Sequence, residues 1–390
     1  MQANRSVPVG GVPADRLRHL AERPGSVLTM SMRFDPTQPD ADHRAQVVWA
    51  SIREEAESLG VPSPQLGALE PVVSDVGRRE EQVVAVADDS GPLFVGVGDA
   101  PTGVRWQAAP WFAPVVAVLQ DDIDHAVVIV DRTGADVVLH RAGRDAQATV
   151  TTDAYPVHKA AGGGWAHRRM QNRVEDSWRV TAAEVAASIS DLVRGDGGRG
   201  VDLVMLGGDE REVGLVQERL PRDAADMVTT IRATRAAGGD QEREAHDVER
   251  ILADAAARRT VAALGVVRER LGDGGAVEGI DPVLAALRAS QVALLLFGDG
   301  AEPGRADPGG AADHEVAYVP GRPDLVGAPE LVDDVHDVPL RRCRAVDAAV
   351  AAAVLTGADV RLVPRHVGEG RLHALLRWES AQGSASDPNG

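Results

Sequence analysis

Cysteine and lysine are almost absent from this chain. Its 390 residues include one cysteine, Cys343, which excludes an internal disulfide framework and any zinc site built on several thiolates. They include one lysine, Lys159, and every other basic side chain is arginine or histidine. No apolar run approaches the ~20 residues of a membrane span; the longest, such as Val292–Phe297, are strand-sized. The opening MQANRSVPVGGVPADRL lacks the apolar stretch of a signal peptide. A cytoplasmic protein that does not enter membranes is therefore expected. Positive charge is also scarce: a net charge of −18 argues against a protein that coats nucleic acid.

What is present suits an α/β protein of two or three domains. Hydrophobic residues make up 44% and charged residues 26%, the balance of an ordinary globular chain with a sizeable core. Residues 1–25 read as a flexible N-terminus with one short helix near Ala14–Glu22. An N-terminal α/β domain, 26–120, follows: a strand at Val27–Phe34, a helix at His43–Leu59 and a variable link. It then has a hairpin, Gln82–Ala87 with Leu93–Val97, about the turn Asp88-Asp89-Ser90-Gly91. In Trp106–Leu119, Pro110 and Pro114 prevent one continuous helix.

The acidic cluster Asp121–Asp124 opens a central domain, 121–237. Its strands are Ala126–Val130, Asp136–His140 and Gln147–Thr152, the first two joined by the turn Asp131-Arg132-Thr133-Gly134. A helix over Arg168–Val193 carries an apolar stripe of Val174, Trp178, Val180, Val185 and Ile189. A strand at Val201–Leu206, a helix from Glu210 and a strand at Val228–Arg232 complete a mixed sheet. The third domain, 238–379, starts after Gly238-Gly239-Asp240. It has a charged helix over 241–271, broken at Gly265, then the helix Val283–Ala289 and the strand Val292–Phe297. A Gly/Pro/Asp-rich insertion, Gly298–Asp313, precedes the helix Arg344–Thr356 and strands at Val360–Val363 and Leu372–Trp378. Residues 380–390 read as a disordered tail.

The most informative stretch is 157–173, VHKAAGGGWAHRRMQNR. Gly162, Gly163 and Gly164 free the backbone to enter space where no side chain fits. His158 and Lys159 precede them; Trp165, His167, Arg168, Arg169 and Arg173 follow. Across 155–180 five bases face two acids, a local basic device on an acidic body. Arginine binds phosphate bidentately, and an indole beside glycines can stack on a base. Arg169 and Arg173, four apart, share a helix face. RNA contact at a defined point is expected; a surface loop before a helix with a solvated basic face is the plainer alternative.

The stretch HKAAGGGWAHRRMQNRVEDSW resembles the central-domain signature of the bacterial archaeo-eukaryotic release-factor-like family, its family 2 in particular. The family includes actinobacterial relatives of the ribosome-hibernation factor Balon and, more distantly, Pelota. The ending, Ala358–Val363 followed by His373–Trp378, agrees with it. The resemblance implies three domains, with a ribonuclease-H-like mixed-sheet centre and an L7Ae-like C-terminal domain. It implies a loop that reaches the peptidyl-transferase centre from the aminoacyl site of the 70S ribosome. It further implies ribosomal RNA, elongation factor Tu and peptidyl-tRNA as partners of a monomer, with no cofactor and no metal.

Hydrolytic members carry Gly-Gly-Gln at the loop tip, where the glutamine places water against the peptidyl-tRNA ester. Here Gly163-Gly164 is followed by Trp165, and the nearest glutamine is Gln171. Binding without hydrolysis is thus the leading expectation, as a hibernation factor active under stress. The alternative is a peptidyl-tRNA hydrolase using Gln171, and a third reading is a stress protein that does not touch ribosomes. An Asn-Ile-Lys-Ser stop-codon motif is excluded, because the one lysine is at 159.

The remaining motifs read as structural. Gly207-Gly208-Asp209 lacks the spacing of a phosphate loop and suits a strand-to-helix turn capped by Asp209. Asp131 could stand where a nuclease carboxylate would, but no convergent set accompanies it, and a turn role is expected. His314-Glu315 lacks a second histidine, while His366 and His373 read as surface or strand-edge residues. Cys343 lies between arginines, which could lower its thiol pKa, but no partner is in view.

Overall fold

The structure is a computed structural model that describes residues 11–37, 40–131, 134–141, 144–151, 165–195, 200–233, 241–298, 314–327, 340–364 and 371–378. At 144–145, 147–151, 165–177 and 241–242 the description is of the backbone. The insertion beyond Gly298, the tail 380–390 and Gly238-Gly239-Asp240 lie outside the described residues. The chain divides into two compact units: Met1–Asp121 with Ala257–Gly390, and Asp122–Ala256. Both are mixed α/β, the expected class.

In the first unit, β1 (Val27–Arg33), β2 (Gln82–Asp88), β3 (Gly91–Val97) and β4 (Gly103–Gln107) form an antiparallel sheet of order β3-β2-β1-β4. Strand alternation decides where each apolar side chain goes. Leu28, Met30 and Met32 of β1, with Val83 and Ala85 of β2, face α2 (Ala41–Ser58) and α3 (Ser63–Gly77) through Trp49, Leu66, Leu69 and Val73. Val27, Val84 and Val86 point the other way, into the core shared with α4 (Phe112–Asp121). Both faces are covered, so β1 and β2 are buried along all but their last residue. The two polar residues buried within β1 have partners: Thr29 Oγ1 accepts from Trp111 N at 3.1 Å and Ser31 Oγ from Gln82 Nε2 at 3.0 Å.

The link expected after residue 59 contains the full helix α3. Pro71 lies inside it, and the complete burial of Leu66, Leu69 and Val73 offsets the lost hydrogen bond. The segment from residue 106 holds the end of β4 and then α4, with Pro114 in the first helical turn, where no N–H partner is needed.

The same unit contains the C-terminal sheet, order β10-β15-β11-β14, from β10 (Ala276–Glu278), β11 (Val292–Phe297), β14 (Asp359–Leu362) and β15 (His373–Leu376). β11 and β14 are parallel; the other pairs are antiparallel. The later part of α8 (Gln241–Leu271) packs Ala263, Leu264 and Val267 on one face. Gly265 does not break that helix. On the other face lie α9 (Ile280–Arg288) and α10 (Ala345–Leu355). A two-stranded sheet pairs β12 (Glu315–Tyr318) with β13 (Arg341–Arg344).

Helix α10 is buried from Ala345 through Val354, so it is apolar on every side. Its one charged group, Asp347, is 1% exposed. It accepts from Gln107 Nε2 at 2.8 Å, Phe112 N at 3.2 Å and Arg344 Nη1 at 3.3 Å. This carboxylate ties β4 and α4 to the C-terminal segment, and the shared core makes the two ends of the chain one unit.

The N-terminal stretch expected to be flexible is packed from Val12 onward. Val12 and Val360 exchange backbone bonds of 2.7 and 3.1 Å, and α1 (Ala14–Ala21) buries Leu17 and Leu20. Arg18 donates to the carbonyls of Val354 and Leu355 at the end of α10, where the helix leaves carbonyl oxygens open to further donors.

The second unit holds a five-stranded sheet of order β7-β6-β5-β8-β9, from β5 (His125–Asp131), β6 (Gly134–Arg141), β7 (Arg144–Thr151), β8 (Leu203–Gly208) and β9 (Val228–Thr230). The first three strands are antiparallel, and β8 and β9 run parallel to β5. This 3-2-1-4-5 order is the ribonuclease-H-like arrangement. Ala126, Val128 and Val130 of β5 face α5 (Trp165–Arg194) and α6 (Glu210–Gln217). Met205 and Leu203 face Val248, Ile251 and Leu252 of α8 on the opposite side. A short helix, α7 (Arg222–Ala225), precedes β9.

Candidate functional site

His158, Lys159, Gly162, Gly163 and Gly164 lie outside the described residues. Trp165, His167, Arg168, Arg169, Gln171 and Arg173 lie on the backbone of α5, a 30-residue helix that begins at Trp165, three residues earlier than sequence spacing predicts. At 1.5 Å per residue it is about 45 Å long. Its first N–H groups, which have no partners within the helix, therefore belong to the residues that follow directly on the glycine run. Partial positive charge from the helix terminus thus adds to the arginines of the first turns. Gln171 is already helical, within the second turn.

The other half of α5 anchors the segment to the sheet. Thr181, Ala182, Val185, Ala186 and Ile189 are each 3% exposed or less. Val180, expected in the stripe, is 53% exposed. At 100° per residue it turns away from a face centred on Thr181 and Val185. Two alanines let α5 approach the sheet closely, over β6 and β8, a feature that a search for large apolar residues passes over. Trp178 is half-buried, and Arg211 of α6 places its guanidinium carbon 4.7 Å from the indole centroid.

The base of α6 is fixed by the turn at the end of β8. Gly208 has φ +143°, and a Cβ there would stand 2.3 Å from the Val130 carbonyl oxygen, so only glycine fits. Asp209 caps the helix, its Oδ1 accepting from Arg211 N at 3.0 Å. The Gly-Gly-Asp motif is thus a turn-and-cap device. Asp131 ends β5 and, with Trp178, Thr181, Glu212 and Leu215, lines a small cavity between sheet and helices. Among the described residues, no group of three or more His, Cys, Asp or Glu could hold a metal ion. No helix among them is long and apolar enough to cross a membrane.

The thiol of Cys343 is buried, and the lowering of its pKa by Arg344 beside it is outweighed. Burial pushes it well above the ordinary thiol value, and the Asp347 and Glu315 carboxylates add to the rise. His373 is half-buried on β15, with Nε2 3.7 Å from Glu278, and burial lowers its pKa. His314 and Glu315 are exposed, and His366 lies outside the described residues.

The second unit, which carries α5, also decides the comparison with known proteins. Residues 124–273 match the family described as bacterial archaeo-eukaryotic release factor family 2. Over this segment the chain is similar to that release-factor-like family. The match spans less than half of the chain and includes the Gly-rich stretch and all of α5. Among solved structures, archaeal Pelota in a ribosome-bound model with ABCE1 is 14% identical, with 97% of this chain and 99% of that one covered and a TM-score of 0.40. Archaeoglobus fulgidus Pelota is 10% identical over 97% and 99%, with a TM-score of 0.37. S. cerevisiae Dom34, described as a translation termination-like factor interacting with Hbs1, is 12% identical over 77% and 80%, with a TM-score of 0.36. These likenesses are too distant to carry a functional argument. A search of curated proteins found no match.

Proposed function

We propose that this release-factor-like chain is a ribosome-binding hibernation factor that occupies the aminoacyl site and reaches toward the peptidyl-transferase centre with residues 157–173. Lys159, Arg168, Arg169 and Arg173, flanked by His158 and His167, hold phosphate. Gly162–Gly164 allow close backbone approach, and Trp165 stacks on ribosomal RNA. Elongation factor Tu is the co-partner, the chain acts as a cytoplasmic monomer, and its layout is the three domains 26–120, 121–237 and 238–379.

The observation that carries this reading is the release-factor family match over a segment whose glycines run straight into a helix beginning with tryptophan. A residue that positions water must come within ~3 Å of the ester. Gln171 supports that role poorly, because the helix has begun six residues before it. The reading is therefore binding without hydrolysis.

The test adds purified protein to 70S ribosomes carrying peptidyl-tRNA. Expected are co-sedimentation at low salt, weakened by Arg168→Glu/Arg169→Glu, and no chain release. Absence of co-sedimentation would overturn ribosome binding. Fast release that Gln171→Ala abolishes would make the protein a peptidyl-tRNA hydrolase instead.

A further inference from the structure

The Gly-rich stretch is useful only if its helix points it correctly, and the described part of α5 shows what could set that direction. The buried stripe Thr181, Ala182, Val185, Ala186 and Ile189 fixes which face α5 turns to the sheet. A stripe of this kind resists lifting of the helix more than its sideways swing. The swing is limited by the neighbour alongside, α6, which packs against α5. The contact nearest the Gly-rich end among the described side chains is Trp178 under Arg211.

We infer that Arg211 is a positioning residue: its guanidinium, held over Trp178, aims the first half of α5 and with it residues 157–173. This inference rests on the ribosome-binding reading above for its purpose, but not for its geometry.

The parts form a continuous chain from sheet to helix. The Val130 carbonyl at the end of β5 leaves room only for glycine at 208. That close approach seats the end of β8, and Asp209 then caps α6 through Arg211 N at 3.0 Å. The same residue whose N–H is capped thus carries the side chain that meets α5, so the position of the guanidinium is tied to the sheet. Glu212, next in sequence, is 4% exposed and turns inward, lining the cavity with Trp178, Thr181 and Asp131. Arg211 faces solvent on the outer side of this bracket.

The lever is long. From Trp178 back to Trp165 the helix runs ~13 residues, about 20 Å. A swing of ~10° at Trp178 would displace the start of the helix by about 3 Å. Hydrogen bonds to phosphate tolerate only about 0.5 Å, so a small loss of restraint at the bracket takes several contacts out of register at once.

The experiment uses the full chain with spin labels at Gln171→Cys and Thr230→Cys, the latter exposed on β9, in a Cys343→Ala background. Residue 171 lies ~7 residues, about 10 Å, from Trp178, so Arg211→Ala is expected to shift or broaden the label-to-label distance distribution by about 2 Å with the melting temperature unchanged. Arg211→Lys, which keeps a cation over the ring, is expected to preserve the distribution. Affinity for 70S ribosomes should fall about fivefold in Arg211→Ala, with a shallower salt dependence because fewer phosphates are reached.

A distance distribution in Arg211→Ala that superposes on the parent overturns the inference. So does unchanged affinity in Arg211→Ala when Arg168→Glu/Arg169→Glu weakens binding. If no variant changes ribosome binding, the ribosome reading fails, and the distances still decide the role of Arg211.

Discussion

Replacing Asp347 by alanine should be among the most damaging single changes in the first unit. The carboxylate is 1% exposed and accepts hydrogen bonds from Gln107, Phe112 and Arg344, and Arg344 is itself only 9% exposed. Breaking a buried ion pair by removing one partner costs about 3–5 kcal/mol, and each buried donor that loses its acceptor adds to that cost. A loss of about 4 kcal/mol is expected, which lowers the melting temperature by roughly 10 °C in a unit of this size.

Calorimetry of the full chain measures the effect, with Asp347→Asn as the control. Asparagine keeps the shape and one acceptor but turns an amide toward Arg344, so its loss should fall between those of parent and alanine. A transition in Asp347→Ala within about 1 kcal/mol of the parent would refute the idea that this carboxylate joins the two chain ends.

Further outcomes follow from the same structure. Gly208→Ala forces a Cβ against the Val130 carbonyl at a φ of +143°, and a loss of about 3 kcal/mol is expected in urea unfolding of the full chain. Burial raises the Asp359 carboxyl above its usual range, opposed by a hydrogen bond from the Ala14 backbone. The folded state then binds that proton more tightly than the unfolded chain, so the stability this group contributes is greatest in acid and falls as pH rises through its folded value. Asp359→Asn should remove that fall, read from urea midpoints between about pH 4 and 7. Cys343 is 3% exposed with its thiol pKa pushed upward, so a disulfide reagent should modify it only as fast as the protein unfolds.

Much of the fold was legible because strand and helix periods are local. Alternation and turn chemistry place β1, the β2–β3 hairpin and the β5–β6 hairpin within a residue or two of where they stand. Helix α3 was not legible in the same way: Pro71 argues against it, and only the sheet that buries Leu66, Leu69 and Val73 outweighs that local cost. The short strands β4, β12 and β13 escaped notice because what defines them is pairing, β4 with β1 and β12 with β13, between segments far apart in the chain.

The candidate site divides along the same line. The glycines and arginines of 157–173 are visible in sequence because their density and charge are local properties. The Trp178–Arg211 contact is not, since it joins two helices that meet only once the sheet beneath them has formed.

By itself the amino-acid sequence determined the class of the protein, most of its longer elements, its basic Gly-rich segment and the absence of glutamine directly after the glycines. All of these depend on residues near one another in the chain. Tertiary structure alone decided that residues 1–121 and 257–390 share one core, that Asp347 is the buried link between them, and that Val180 faces outward while two alanines face in. Those outcomes turn on which surfaces meet across long loops, where the pairing is chosen by fit and by the need to satisfy buried polar groups, and no local pattern records that choice.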